Sequence, residues 1–160
     1  MRGCNKASFT ENFKGWNEAA MKVRVITVGK LSQKNLEKLY ALYLKRLGHY
    51  FKIETLVLKR MGDLSDKILE GSFFVVLDER GKNLNSEELA TWIGNLQNRS
   101  VSKIIFLLGP AEGIPKEIIK KADFVLSLSR MTLQHEQAHL IFLEQLYRAC
   151  TIIRGEPYHK

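Results

Sequence analysis

Hydrophobic positions along this chain follow two periods. Five short apolar runs, Val23 to Val28, Ile53 to Leu58, Phe73 to Leu77, Ile104 to Leu108 and Phe124 to Leu128, are rich in β-branched and aromatic residues and read as strands. Between them the spacing changes to that of helices. From Gln33 to Leu47 the residues Leu36, Leu39, Tyr40, Tyr43 and Leu47 form one stripe, which leaves Lys34, Lys38, Lys45 and Arg46 outside it. A short helix is expected near Leu64 to Leu69, a third from Ser86 to Leu96 and a fourth from Pro115 to Lys121. Asn85 with Glu88 three positions on is a capping-box variant for the third, and Pro115 suits the first turn of the fourth. After a polar turn of Ser129, Arg130 and Thr132, a long last helix carries Leu143, Leu146, Tyr147, Cys150 and Ile153 on one face until Gly155 and Pro157 stop it. Ile141 and Phe142 lie beside that stripe and are expected to leave apolar surface for a partner.

Near-continuous apolar strands alternating with helices indicate an α/β fold, with a mostly parallel sheet covered by helices on both faces. No linker, repeat or low-complexity segment divides the chain, so one domain is expected. Ligands of such sheets bind beyond the carboxyl ends of the strands. That rule directs attention to three loops, Asp78 to Lys82, Gly109 to Gly113 and Ser129 to Leu133.

A length of 160 residues with 45% hydrophobic residues is enough for a single core. No apolar run approaches the roughly 20 residues that span a bilayer, and the first residues lack a secretory hydrophobic segment, so a cytoplasmic location is expected. Residues 1–20 are polar and without alternation; they read as a disordered leader or extension before a domain from Met21 to Lys160. Cys4 lies in that leader and Cys150 on the buried helix face, so no intrachain disulfide is expected. The net charge of +8 is concentrated: Lys22 to Arg60 holds ten Lys and Arg against Glu37 and Glu54, and the rest of the chain balances. A basic face on one element is the electrostatic footprint of a polyanion partner. A merely solvated helix face would look the same.

Two motifs compete for the chemistry. His135-Glu136-Gln137-Ala138-His139 has H-E-x-x-H spacing, which on a helix sets two imidazoles one turn apart for zinc, with Glu136 as general base. A third ligand is missing: Glu144 is too close on the same helix, and Glu156 and His159 are poorly placed, so no metal is expected. The loop Gly109-Pro110-Ala111-Glu112-Gly113 is weak taken alone, being neither a dinucleotide fingerprint nor a phosphate loop. Gly109 would let the main chain approach a ligand, and a tight turn would use a glycine equally well.

The run Leu126-Ser127-Leu128-Ser129-Arg130-Met131-Thr132, then Leu143-Glu144-Gln145-Leu146-Tyr147-Arg148-Ala149, and the terminal Pro157-Tyr158-His159-Lys160 together resemble the RlmH family of SPOUT-class methyltransferases. Leu77 to Lys82, Ser86 to Ala90, Leu108 to Gly113 and Val23 to Lys30 extend the resemblance over about Met21 to Lys160. It implies a C-terminal trefoil knot and a homodimer that shares its active site. It also implies methylation of N3 of a pseudouridine in bacterial 23S ribosomal RNA, in the context of the ribosome, with S-adenosylmethionine as donor. Neither a membrane nor DNA is an expected partner. Carried onto this sequence, donor contacts fall at Leu77, Gly109, Leu128, Ser129, Arg130, Met131, Thr132 and Leu133. The catalytic wall is expected to be His159 near the base, Arg148 as electrostatic partner and Tyr158 as a stacking surface, with Lys160 a further candidate cation. His139 stands where the family usually has Arg. Three classes remain open at this point: an rRNA methyltransferase, a zinc hydrolase, and a non-catalytic basic RNA-binding protein.

Overall fold

The computed structural model describes residues 21–159; the leader, residues 1–20, and Lys160 lie outside the described residues. Chain order is β1 (Lys22–Val28), α1 (Lys34–Leu47), β2 (Lys52–Leu58), a 3-10 turn (Met61–Asp63), α2 (Asp66–Leu69), β3 (Phe73–Asn83), α3 (Ser86–Asn98), β4 (Lys103–Leu108), α4 (Lys116–Ile119), β5 (Phe124–Ser127) and α5 (His135–Arg154). The five strands form one sheet in the order β2-β1-β4-β3-β5, and every neighbouring pair is parallel.

Alternation along the central strands decides which helix meets which residue. Val23 and Val25, Val75, Ile104 and Phe106 face a core built with Tyr40 and Leu47 of α1, Leu89 and Ile93 of α3, and Phe142 and Leu146 of α5. Ile26 and Val28, Phe74 and Val76, Ile105 and Leu107 face the other way, where Met61, Leu64, Ile68 and Ile118 cover them. Both faces are therefore dry, but the three long helices share one side and only short elements cover the other. Truncating one of the fully buried aromatics, Phe106 or Phe142, costs about 3–5 kcal/mol on the usual scale for core cavities.

Several helix ends follow from single residues. At α3 the Asn85 side chain accepts from the Glu88 backbone N–H and the Glu88 carboxylate accepts from the Asn85 N–H, each at 2.8 Å, so the expected capping box is complete. Gly155 ends α5 with φ +68°, the left-handed conformation in which a side chain would be strained. Pro115 caps α4 from outside the helix and does not occupy its first turn, because α4 begins at Lys116.

Three expectations need correction. The stretch 78–82 is not a free loop: β3 runs on to Asn83, with an irregularity at 78–81 because Leu77 and Lys82 both pair with Leu126 of β5. Polar residues hold this extended conformation through pairing, and apolar spacing carries no trace of it. Leu39 is 41% exposed and so does not belong to the buried stripe of α1. Phe142 is fully buried against Phe106, ring centroids 4.8 Å apart, so only Ile141 of that pair remains at the surface.

Candidate active site

At the carboxyl ends of β3, β4 and β5 the three loops close around a cavity of about 500 Å³, within the usual size range of small-molecule sites. Its walls include Leu77 and Asp78 to Arg80 from β3, Leu108 to Ile114 after β4, Leu128, Ser129, Met131, Thr132 and Leu133 after β5, and His135 and Ala138 of α5. Of the eight expected donor contacts, seven line it. Arg130 does not; it is exposed to one side.

Short polar contacts fix these loops. The Ser129 hydroxyl accepts from the Met131 N–H at 2.9 Å, and the Ser127 hydroxyl donates to the Ser129 carbonyl at 3.0 Å. The Thr132 hydroxyl donates to Glu79 at 3.3 Å, joining the run after β5 to the extension of β3. The Asn83 amide donates to the Ser127 carbonyl at 3.2 Å. Asp78 takes both arms of the Arg80 guanidinium at 2.7 and 2.8 Å, and those bonds hold its carboxyl below the usual carboxylate range. Met131, also part of the lining, is 76% exposed.

Two glycines in this region have packing reasons. A Cβ on Gly81 would stand 2.6 Å from the Val125 carbonyl oxygen, so β3 and β5 can touch here only because none is present. A Cβ on Gly109 would stand 2.2 Å from Cγ1 of Ile114. The glycine therefore admits the side chain that closes its own loop, a reason that neither ligand approach nor a simple turn anticipates.

The C-terminal residues form a second cluster. Tyr158 turns back onto α5, and its hydroxyl donates to Oε1 of Glu144 at 3.1 Å. The same oxygen accepts from Arg148 at 2.6 and 3.1 Å, and the Arg148 guanidinium lies 4.8 Å over the Tyr158 ring. His159 Nδ1 is 3.4 Å from Arg148 Nη1, and Tyr43 of α1 places its hydroxyl 3.4 Å from that of Tyr158. Burial, then bonding to Tyr43 and Glu144, pushes the Tyr158 phenol up, so it stays neutral at physiological pH. Bonding to Glu144 likewise raises Arg148, a permanent cation. The tail thus brings Arg148, Tyr158 and His159 together. The ion pair with Glu144, the bland account of Arg148, is present too, and it is the hub of the cluster. Tyr43 was hidden in the sequence as one more stripe residue of α1; a hydroxyl at the half-buried edge of an apolar stripe is the signal that marks it.

The two clusters do not meet within one chain. His135 and Ala138 line the strand-end cavity, and Arg148 lies ten residues beyond Ala138 on the same helix, about 15 Å along its axis at 1.5 Å per residue.

The H-E-x-x-H string is a tether. Glu136 is 5% exposed; its carboxylate accepts from the Ser32 N–H and hydroxyl and from the Gln33 N–H, each at 2.9 Å, and these bonds lower its pKa. His139 is 3% exposed, shares a 3.0 Å hydrogen bond with the Thr27 hydroxyl and packs 5.0 Å from the Tyr40 ring. Burial lowers its pKa to about 4. Among the described residues no three His, Cys, Asp or Glu side chains come together as metal ligands. Cys150 is buried with a free thiol, and no described helix is long and apolar enough to cross a membrane.

A family model described as predicted SPOUT methyltransferase matches residues 21–159, and the chain belongs to that family. It is 39% identical to ribosomal RNA large subunit methyltransferase H of Carboxydothermus hydrogenoformans, over 88% of this chain and all of that one. The enzyme of the same name from Koribacter versatilis is 41% identical over 87% of this chain and 98% of its own. These relatives bear out the resemblance of the C-terminal motifs to the RlmH family. A crystal structure of a probable methyltransferase from Bordetella pertussis Tohama I superposes with a TM-score of 0.57 at 12% identity, over 90% of this chain and 99% of that one, which shows a common fold.

Proposed function

We propose that this protein transfers a methyl group from S-adenosylmethionine to N3 of a pseudouridine in bacterial 23S ribosomal RNA, on the assembled ribosome in the cytoplasm. The observation that carries the reading is the cavity at the strand ends, bounded by the same three loops that hold the family motifs. Its chemistry suits the donor: Asp78, Glu79 and Glu112 face it against the single guanidinium of Arg80, a negative balance that complements a sulfonium cation. Leu77, Leu128, Met131 and Leu133 offer apolar surface, and Ser129 and Thr132 offer hydroxyls. Gly109 and the Leu128 to Leu133 run would hold the donor, with Arg130 at the rim. S-adenosylmethionine supplies an electrophilic methyl group.

The chain's own residues then have to present the base and manage its imide proton. Tyr158, neutral and fixed by Tyr43 and Glu144, offers a flat face for stacking. Arg148 supplies a permanent positive charge where negative charge develops on the imide, and His159, beside it, accepts the proton. Because these groups sit about 15 Å along α5 from the cavity, the reading requires a homodimer in which one copy's C-terminal cluster faces the other's cavity. We also propose that the C-terminal segment threads a trefoil knot. The contact of Gly81 with β5 and the double pairing of Leu126 support it, since both bind the stretch 78–83 across the strand that leads into the terminal helix. The partners are rRNA, the ribosome and a second copy, with neither DNA nor a membrane.

Calorimetric titration tests the assignment of the two clusters. Wild-type protein and His159→Ala are expected to bind S-adenosylmethionine alike, while the variant transfers methyl groups about a hundred-fold more slowly, the typical worth of a positioned acid or base. Unchanged turnover in the variant would remove His159 from the chemistry. No saturable donor binding in either would remove the cavity assignment.

A further inference from the structure

A second cavity, of about 390 Å³, opens where the C-terminal ends of α1 and α5 meet. Arg46, His49, Tyr50, Tyr147, Arg154 and Glu156 line it, and it shares no residue with the strand-end cavity. Arg46 is the informative member. Its guanidinium lies 5.7 Å from the Tyr43 ring centroid and 5.3 Å from that of Tyr147, and among the described residues no carboxylate pairs with it. An arginine in the last turn of a helix also eases the helix dipole, but a solvated side chain would serve that purpose. Here the planar group rests against the Tyr43 and Tyr147 rings, whose centroids are themselves 6.0 Å apart, so a bidentate oxyanion can approach its N–H edge from the side turned away from them. Glu156 is the one carboxylate in the lining. It accepts from the Tyr50 hydroxyl and lies 3.9 Å from Arg154 Nε, so its charge is already met and the cleft remains positive.

We propose that this cleft binds a backbone phosphate of the RNA strand that presents the target base. The inference rests on the reading of the chain as an rRNA methyltransferase. Two placements favour an RNA phosphate over a free anion. The cleft ends the basic α1 unit, where the whole positive excess of the sequence is concentrated. Its wall, the Tyr147 ring, also packs 4.7 Å from the Tyr158 ring, so one aromatic ring separates the phosphate site from the proposed stacking surface.

The test is binding of the full-length protein to large ribosomal subunits that lack the modification, measured across a potassium chloride series. Arg46→Gln is expected to weaken binding and to lower the slope of log K against log salt by about 0.7–0.9, the value of one phosphate contact. Arg46→Lys should keep the slope and recover part of the affinity. Donor affinity measured by calorimetry should equal that of wild type in both, which shows that the fold is intact. An unchanged slope in Arg46→Gln overturns the proposal. So does a loss of binding that tracks a halved mass in sedimentation, since the cleft would then hold a carboxylate of a second copy. Displacement of inorganic phosphate by the substitution with no effect on subunit binding would make it a free-anion site and also overturn it. Binding is read without methyl transfer: wild type that binds subunits with the expected slope but never methylates them would refute the function and leave the phosphate site standing.

Discussion

His139 keeps an imidazole almost wholly out of water with one hydroxyl as partner, and the cost falls on its protonated form. Its native pKa is about 4 against 6.5 for an ordinary histidine, so between those values the unfolded chain binds a proton that the native chain refuses. Stability is therefore complete above about pH 6.5 and falls as the pH drops toward 4, by about 3 kcal/mol in all. Glu136 acts in the same direction at lower pH: its carboxyl is held down by Ser32 and Gln33, so its contribution is present above the ordinary carboxylate pKa and is lost as the pH falls through the native one. Urea unfolding at about pH 7 and about pH 5 should show the loss, and His139→Gln should flatten it. A native imidazole that titrates near its ordinary value by NMR would contradict the account. The spacing of these residues was fully visible in the sequence, yet a zinc site and a tether both need polar atoms on one helical turn. Thr27 and Ser32, more than a hundred residues earlier, decide between them, and no local pattern names such partners.

Elements were legible in proportion to how apolar they are. β1, β2 and β4 begin and end within a residue or so of their apolar runs; burial on both faces writes a continuous signal in β1 and β4, and β-branched residues mark the more exposed edge strand β2. Apolar spacing marks β3 only to Leu77, because its last six residues are polar and are held extended by β5, a contact between segments some forty residues apart. Leu39 lies outside the buried stripe for a related reason: a helix offers more apolar positions than the sheet beneath it can cover. The glycines of the two loops give the sharpest test at this scale. Gly81→Ala sets a methyl group against rigid backbone and should cost about 1–3 kcal/mol, the usual range for overpacking, and weaken donor binding with it. Gly109→Ala meets the Ile114 side chain, whose own truncation costs burial, so Gly109→Ala with Ile114→Ala should lose clearly less stability than the sum of the two single changes. Denaturant midpoints check both. If the two losses simply add, the glycine is needed for something other than Ile114.

The whole molecule places its cavity at one end of α5 and its C-terminal cluster, beside its charge, toward the other. The acidic-lined cavity sits at the strand ends, whereas the Arg148, Tyr158 and His159 cluster lies about 15 Å along α5 from it and packs against α1 of the basic β1-α1-β2 unit through Tyr43. The sequence announced the cavity loops and the terminal motif by resemblance, but their separation is a property of a 20-residue helix laid across the sheet, and only coordinates reveal it. The proposed function therefore has an RNA strand and a second copy brought to parts that are apart in one chain. Incubation of assembled ribosomes lacking the modification with the wild-type protein and isotopically labelled S-adenosylmethionine, followed by mass spectrometry of the 23S rRNA nucleosides, examines that claim directly. The account predicts one labelled methyl group on N3 of a pseudouridine; an unlabelled rRNA, or a label on any other atom, would contradict it.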